Sequence, residues 1–206
     1  MSETKKRGRP RAFDEAATIE KAREVFWDRG FEGTSLDALS AATSLNRPSL
    51  YGAFGDKEDL YLGTLAGYRD DSLVAMEEAL DPSLPLRENI AEIYRRALST
   101  YLSGETSARG CFLIGTATAE AIQHSRVRDM LRQSLEAFDA EIEARLMLAV
   151  ERGELPKEAD PKALSLLASS VMHSLAVRAR AGAPRDMLED LARAGVDMVC
   201  GRAPQK

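Results

Sequence analysis

The sequence predicts an all-α protein of about nine helices, three short ones near the N-terminus and about six building a larger domain. Three observations lead there. Between Thr34 and Leu60 the chain sets helix-start residues at Thr34, Asn46 and Asp56, so close together that only short helices fit between them. Beyond Leu60, apolar residues recur at three- and four-residue spacings through one segment after another. Proline and glycine punctuate those stripes at Asp81-Pro82-Ser83-Leu84-Pro85, between Gly153 and Pro161, and at Gly182 to Pro184.

Met1 to Arg11, MSETKKRGRPR, has no apolar periodicity and reads as disordered when free, making residues 1–12 a basic arm. Asp14 caps the first helix, which carries Ile19, Ala22, Val25 and Phe26 on one face and ends at Gly30. Trp27 lies beside that stripe, where packing under Phe31 is the expectation. Thr34 is expected to cap the second helix, with Asp37 as a short capping-box acid and Leu36 and Leu39 as its apolar face. That helix stops near Thr43, and Ser44-Leu45 turn the chain. Asn46 then caps the third. Because Pro48 has no N–H, the Asn46 side chain is expected to bond the amide of Ser49, and Leu50 and Phe54 hold the helix on its neighbours.

Asp56 opens a long helix with Asp59 in its first turn, running to Leu80 on a stripe of Leu60, Leu65, Tyr68, Leu73 and Met76. Leu86 to Leu102 forms the next, with Ile90, Ile93, Tyr94, Ala97, Leu98 and Tyr101 at helical spacings, and Ser103 to Ser107 is loop. Arg109 to Thr116, RGCFLIGT, is a buried strand or a buried helix, and the alanines that follow favour helix. Ser125 to Arg152 carries a sustained stripe from Val127 to Ala149. Pro161 suits the first turn of another helix, striped by Leu164, Leu167, Val171 and Leu175. The last helix follows Pro184 with Met187, Leu188, Leu191, Met198 and Val199.

With 206 residues the chain can hold a small domain and a larger one with its own core. A composition of 44% hydrophobic and 30% charged residues is that of a soluble globular protein. No run reaches the ~18 apolar residues of a membrane span, and the basic N-terminus lacks the apolar core of a signal peptide. A cytoplasmic location without membrane contact is the expectation. Two cysteines, Cys111 and Cys200, are too few for a disulfide scaffold. The net charge of −5 argues at first against nucleic acid, but its distribution argues the other way. Five basic residues and no acid lie between Lys5 and Arg11, leaving 23 of the 28 basic residues against 33 acidic ones elsewhere. A localised basic patch still neutralises phosphates and releases counterions.

Two short helices joined by a tight turn, the second opening on Asn-Arg-Pro-Ser, fit a helix-turn-helix whose recognition helix runs from Asn46 to Phe54. The residues carry more than the pattern. Phe31, Gly33-Thr34-Ser35, Leu39, Leu45, Ser49-Leu50-Tyr51, Phe54 and Asp56-Lys57-Glu58-Asp59-Leu60 resemble, in order and spacing, the N-terminal DNA-binding domain of the TetR family of transcriptional regulators. The one departure is Ser44, where members commonly have Gly. Serine tolerates several turn geometries. The resemblance implies a helix-turn-helix domain over residues 13–60 and a ligand-binding and dimerisation domain over 61–206. It also implies a ligand-responsive regulator, more often a repressor, on a roughly palindromic double-stranded operator.

In the recognition helix, Asn46 to Tyr51 are the candidate contacts. Arg47 can pair bidentately with guanine O6 and N7, Ser49 can reach a base or phosphate, and Pro48 can touch a thymine methyl. Tyr51 reads as a phosphate ligand with a partly buried ring. Thr34 and Lys57 lie at helix starts, where free amides and the dipole favour phosphate; by resemblance, Thr34, Tyr51 and Lys57 occupy positions that commonly hold the DNA backbone. Lys57 reads equally well as a solvated charge. In the arm, Gly8-Arg9-Pro10-Arg11 resembles an AT-hook, which would lay Arg9 and Arg11 in a narrow minor groove, against the alternative of a solvated tail.

A pocket for an unidentified small-molecule effector is expected between the long helix after Asp56 and the helices around Tyr94 to Phe138. Its candidates are Met76, Tyr94, Tyr101, Cys111, Phe112, Thr116 and Phe138. In the family, the last two helices form a four-helix bundle across a homodimer's twofold axis; Leu167, Val171, Leu175, Leu191 and Met198 are the candidates here. Cys111 admits two readings: a thiolate that senses electrophiles or oxidants, favoured by nearby helix-start amides and Arg109, or a small buried core residue.

Enzyme chemistry is thinly represented. With only His124 and His173, and no paired-histidine motif, CxxC, GxGxxG or GxxxxGK[ST], no metal, dinucleotide or P-loop site is expected and no cofactor is implied. A Cys111–His hydrolase and a purely structural helical adaptor are the remote alternatives.

Overall fold

The computed structural model describes residues 13–104 and 107–201; the arm with Arg9 and Arg11 lies outside them. Among the described residues the protein is all helix. The first three elements are α1 (Glu15–Arg29), α2 (Leu36–Thr43) and α3 (Arg47–Phe54). After them come α4 (Lys57–Ala79), α5 (Leu86–Tyr101), a short α6 (Thr118–Glu120), α7 (Ser125–Glu151), α8 (Pro161–Arg180) and α9 (Arg185–Cys200).

The caps explain most boundaries. Asp14 Oδ1 accepts from the amides of Ala16 and Ala17, and Asn46 Oδ1 accepts from Ser49 at 2.9 Å as Pro48 requires. Asp56 and Asp59 form a reciprocal capping box at the start of α4. Thr34 is a correction. The cap of α2 is Ser35, whose hydroxyl oxygen accepts from Ala38 at 3.1 Å, while Thr34 is buried one residue earlier. Between α2 and α3, Ser44 takes a left-handed conformation at φ 59°, unusual for a residue with a Cβ. The glycine common in the family at that place is thus matched in backbone geometry.

Arg109 to Thr116 folds as helix, but not as plain α-helix. Leu113–Ala117 makes one π-helical turn and runs directly into α6. Gly110 enters it at φ 67°, beneath the Ala176 carbonyl of α8, where a Cβ would sit 2.8 Å from that oxygen.

Helix α1 packs along α4, and α4 continues against α5 and α7. The other layer is α8, lying on α7, α5 and α9. Gly195 lets α9 close on this layer, since a Cβ there would meet Val171 at 2.7 Å and the Tyr94 ring at 3.0 Å. Trp27 is a second correction. It does not pack under Phe31, which stacks with Phe26 and meets Tyr61; its ring stands edge-on to Tyr68 at 5.2 Å and tilts onto Phe112 at 5.5 Å. Trp27 thereby joins α1 to the body of the protein.

The break after α4 is organised by a residue the sequence does not advertise. Arg145 of α7 is 4% exposed and donates to Asn89 Oδ1 at 2.7 Å and to the Leu84 carbonyl at 3.0 Å, with Glu154 also 3.0 Å away. Asn89 donates in turn to the carbonyls of Ala79 and Asp81, and Glu154 accepts from the Leu86 amide. One buried network thus satisfies the orphan carbonyls ending α4 and an orphan amide starting α5, whose own cap residue, Pro85, supplies no side-chain bond.

Candidate nucleic-acid interface and ligand cavity

Helix α3 is held from one side and open on the other. Leu50 is 3% exposed and Phe54 half-buried, whereas Asn46, Arg47 and Pro48 are exposed, Ser49 is half-buried and Tyr51 is 47% exposed. Asn46 has its oxygen committed to the cap. Arg47 reaches back to α2, donating from Nη2 and Nε to Asp37 Oδ1 at 2.7 and 3.1 Å, and that bond raises its already high pKa. Both partners are more than half exposed, so the pair is worth little in water and opens readily for a base.

Thr34 is corrected again as a DNA contact. Its side chain is 2% exposed, its hydroxyl donates to the Gly30 carbonyl at 2.6 Å, and its amide donates to Phe31. Both donors face inward. The exposed hydroxyl at this helix start belongs to Ser35. Lys57 opens α4 with its ammonium 4.3 Å from the Phe31 ring centroid, a cation–π contact that leaves it half-buried.

A cavity of about 100 Å³ lies between α4, α5, α7, α8 and the π-helical turn. Met76, Tyr101, Cys111 and Phe138 line it as expected. Tyr94, Phe112 and Thr116 do not. Tyr94 is 1% exposed and donates to the Ala168 carbonyl at 3.2 Å. Phe112 fills the aromatic cluster with Trp27, Tyr61 and Tyr68, and the Thr116 hydroxyl pairs with Tyr61 at 2.7 Å. The wall also includes Tyr68, Ser72, Arg96, Thr100 and His173. Tyr68 sits on the α4 stripe, so periodicity marks it only as core; Arg96 and His173 are polar side chains on helices chosen for their apolar faces.

Cys111 is a buried wall residue. Burial pushes its thiol above the ordinary cysteine value, outweighing the amides of Ile114 and Leu113 and the Tyr68 hydroxyl, which act in the opposite direction. Arg109 gives it no help. That guanidinium lies over the Trp27 ring and pairs with Glu24 at 2.7 Å and Asp28 at 3.2 Å. Of the two readings of Cys111, the structure agrees with the buried core residue and not with the low-pKa thiolate. His173 shares the cavity, but burial lowers its pKa, so thiol and imidazole are both driven toward their neutral forms, the reverse of a thiolate–imidazolium pair. The thiol's hydrogen-bond partner is Tyr68, at 3.5 Å.

The dimer candidates divide. Met198 is 60% exposed and Leu167 and Leu191 are half-buried, but Leu175 is fully buried and Val171 packs inward on Gly195. Leu175 and Val171 belong to the protein's own core. On the neighbouring stripe of α8, Leu166 and Val177 are 50% and 56% exposed, and Met187 of α9 is 40% exposed. Apolar count alone picks the stripe facing the core, not the mixed stripe beside it.

Among the described residues one group of side chains could hold a metal ion. Glu32, Glu120 and His124 bring ligand atoms within 4.8 Å of one another, and His124 Nδ1 bonds Glu58 at 2.9 Å. Glu120 and His124 are close in the chain but Glu32 is distant, so a search for motif spacing misses the group. Burial raises the pKa of Glu120, helped by Glu32.

Residues 19–64 match the profile of bacterial regulatory proteins of the tetR family, and residues 85–194 that of the tetracyclin repressor-like C-terminal domain. The chain is 33% identical over 186 residues to the HTH-type regulator YezE of Bacillus subtilis (strain 168), covering 89% of this chain and 94% of that one. It is 29% identical over 188 residues to the HTH-type transcriptional repressor ComR of Escherichia coli (strain K12), covering 91% and 90%. In structure it is similar to a cysteine-substituted TetR-family regulator, CifR, complexed with 26-bp double-strand operator DNA. That match has a TM-score of 0.78 and 32% identity, over 91% of this chain and 98% of that one. With both parts of the chain matched and the helix-turn-helix in place, the protein belongs to the TetR family of transcriptional regulators.

Proposed function

We propose that this regulator is a cytoplasmic repressor, working as a homodimer on a roughly palindromic operator and released from it by a small molecule held in the cavity. The observation that carries the reading is the open face of α3, where Arg47, Pro48, Ser49 and Tyr51 face outward while Leu50 anchors the helix. One such helix reads too few bases for operator specificity, so two heads are needed. The exposed stripes of α8 and α9 supply the seam, and CifR's complex with operator DNA supports the choice of target. The head comprises residues 13–60 after the basic arm 1–12, and residues 61–206 form the effector and dimer domain. Catalysis has no part in this reading: the Cys111 thiol and the His173 imidazole beside it are both driven toward their neutral forms.

The lever is α4. Its first turn carries Lys57 in the head, and its later turns carry Tyr68, Ser72 and Met76 in the cavity wall. A ligand preferring the head spacing that misfits DNA shifts the population and releases the operator.

Arg47→Ala is expected to weaken operator binding by ~1–3 kcal/mol while sparing non-specific DNA. Asp37→Asn, which frees the guanidinium, should leave operator affinity within ~1 kcal/mol of wild type. Fluorescence anisotropy on operator and scrambled duplexes measures both, and an equal loss on the two duplexes would remove Arg47 from base readout. Deleting residues 1–11 should instead weaken all duplexes and flatten the salt dependence; an unchanged salt slope would reduce the arm to a tail.

A further inference from the structure

The cavity's chemistry narrows what it can hold. Its lining contains no carboxylate, and its two nitrogen bases are not free to pair with a charged ligand. The charge of Arg96 is already matched by two carboxylates, with Nη1 on Glu78 at 2.7 Å and the Ala75 carbonyl at 3.1 Å, and Nε on Glu92 at 2.8 Å. His173 is held toward its neutral form by burial, against the opposing pull of Asp139. An anion would therefore find no unclaimed cation, and a cation no unclaimed anion; either would lose hydration without replacement.

Two donors meet at one wall. Tyr68 is 7% exposed and its hydroxyl donates to Cys111 Sγ at 3.5 Å; Tyr101, 5% exposed, lines the same cavity. Thiol sulfur is a weak acceptor, so the Tyr68 phenol is poorly satisfied by protein alone. Both phenols have pKa values raised well above the ordinary tyrosine value by burial, so each keeps its proton to donate. A ligand oxygen placed between them would be a better acceptor than the sulfur it displaces.

Size follows from volume. An apolar cavity of roughly 150 Å³ accommodates benzene, and this one is about 100 Å³.

We propose that the cavity binds a compact, uncharged organic molecule of no more than about six non-hydrogen atoms carrying a single acceptor oxygen, as in a ketone or cyclic ether. Tyr68 and Tyr101 donate to that oxygen and the apolar wall takes the rest. The inference rests on the reading of this cavity as the effector site.

Cyclopentanone, methylcyclopentane, cyclopropanecarboxylate and cyclopentylamine, matched in non-hydrogen atoms, test it by thermal shift and ligand-observed NMR on the full chain. Cyclopentanone should bind, with the carboxylate and the amine at least about tenfold weaker. Tyr68→Phe and Tyr101→Phe should each weaken cyclopentanone about two- to tenfold and leave methylcyclopentane unchanged. Ala97→Leu, which fills the wall from α5, should reduce binding of both neutral probes. Tighter binding of either charged probe overturns the proposal while leaving an effector cavity in place. Binding that ignores both phenylalanine variants, or that survives Ala97→Leu, also overturns it, as does the failure of every probe to bind. Operator release is measured separately: cyclopentanone that saturates the cavity without loosening DNA upholds the ligand class and overturns the effector reading.

Discussion

Val177→Glu combined with Met198→Glu is expected to convert the dimer to a monomer and to lower operator affinity by a factor of about a thousand or more. Both side chains stand more than half exposed on the isolated subunit, so the fold has no reason to change and its helical circular dichroism should be retained. In the proposed dimer the same side chains would lie at the seam, where a carboxylate would be stripped of water opposite its own symmetry mate. Loss of the second head removes half the base and phosphate contacts, carrying the protein from the range of specific complexes toward that of non-specific ones. Light scattering at micromolar concentration and anisotropy on the operator provide the readouts. A double variant that stays dimeric would move the seam away from α8 and α9.

Arg145→Ala should cost the fold about 2–4 kcal/mol, lowering the midpoint of thermal unfolding by roughly 5–15 °C. The size comes from what is left behind: Glu154, Asn89 and the Leu84 carbonyl each lose a donor inside a mostly buried network. Glu154 is about a quarter exposed, which keeps the cost below that of a fully buried charge. Replacing the pair together, as Arg145→Met with Glu154→Gln, should recover much of the loss, because neither charge is then stranded. Thermal melts of both variants decide the matter. An alanine variant as stable as wild type would show that the join between α4 and α5 is held by apolar packing alone.

These two cases mark where the sequence is readable. Helix boundaries are local: Asp14, Asn46 and Asp56 state their caps in one or two residues, and proline states the breaks. Thr34 and Ser35 are both good caps and adjacent, so local chemistry alone cannot choose; burial of Thr34 against Gly30 chooses. The faces of buried helices are harder. Periodicity finds Val171 and Leu175 because they are apolar, yet the same property serves a subunit's own core and its seam. Arg145 and the Glu32–Glu120–His124 group are further beyond reach, since each depends on contacts between residues far apart in the chain. Proximity in the chain cannot choose between the two readings of Cys111, because Arg109, two positions away, points to Glu24, Asp28 and Trp27 instead.

Tyr68 borders the cavity and also carries the ring on which Trp27 of α1 rests. Under the proposed function a single side chain thus links the cavity to the helix-turn-helix head, and such coupling would be reciprocal: whatever factor the ligand takes from operator affinity, the operator takes from ligand affinity. Dimers seated on DNA are then poorer detectors than those free in solution. As effector accumulates, the free dimers fill first and act as a sink, and the operator is vacated only after them. The concentration at which transcription begins is thus set by the surplus of dimers over operators as well as by the cavity itself.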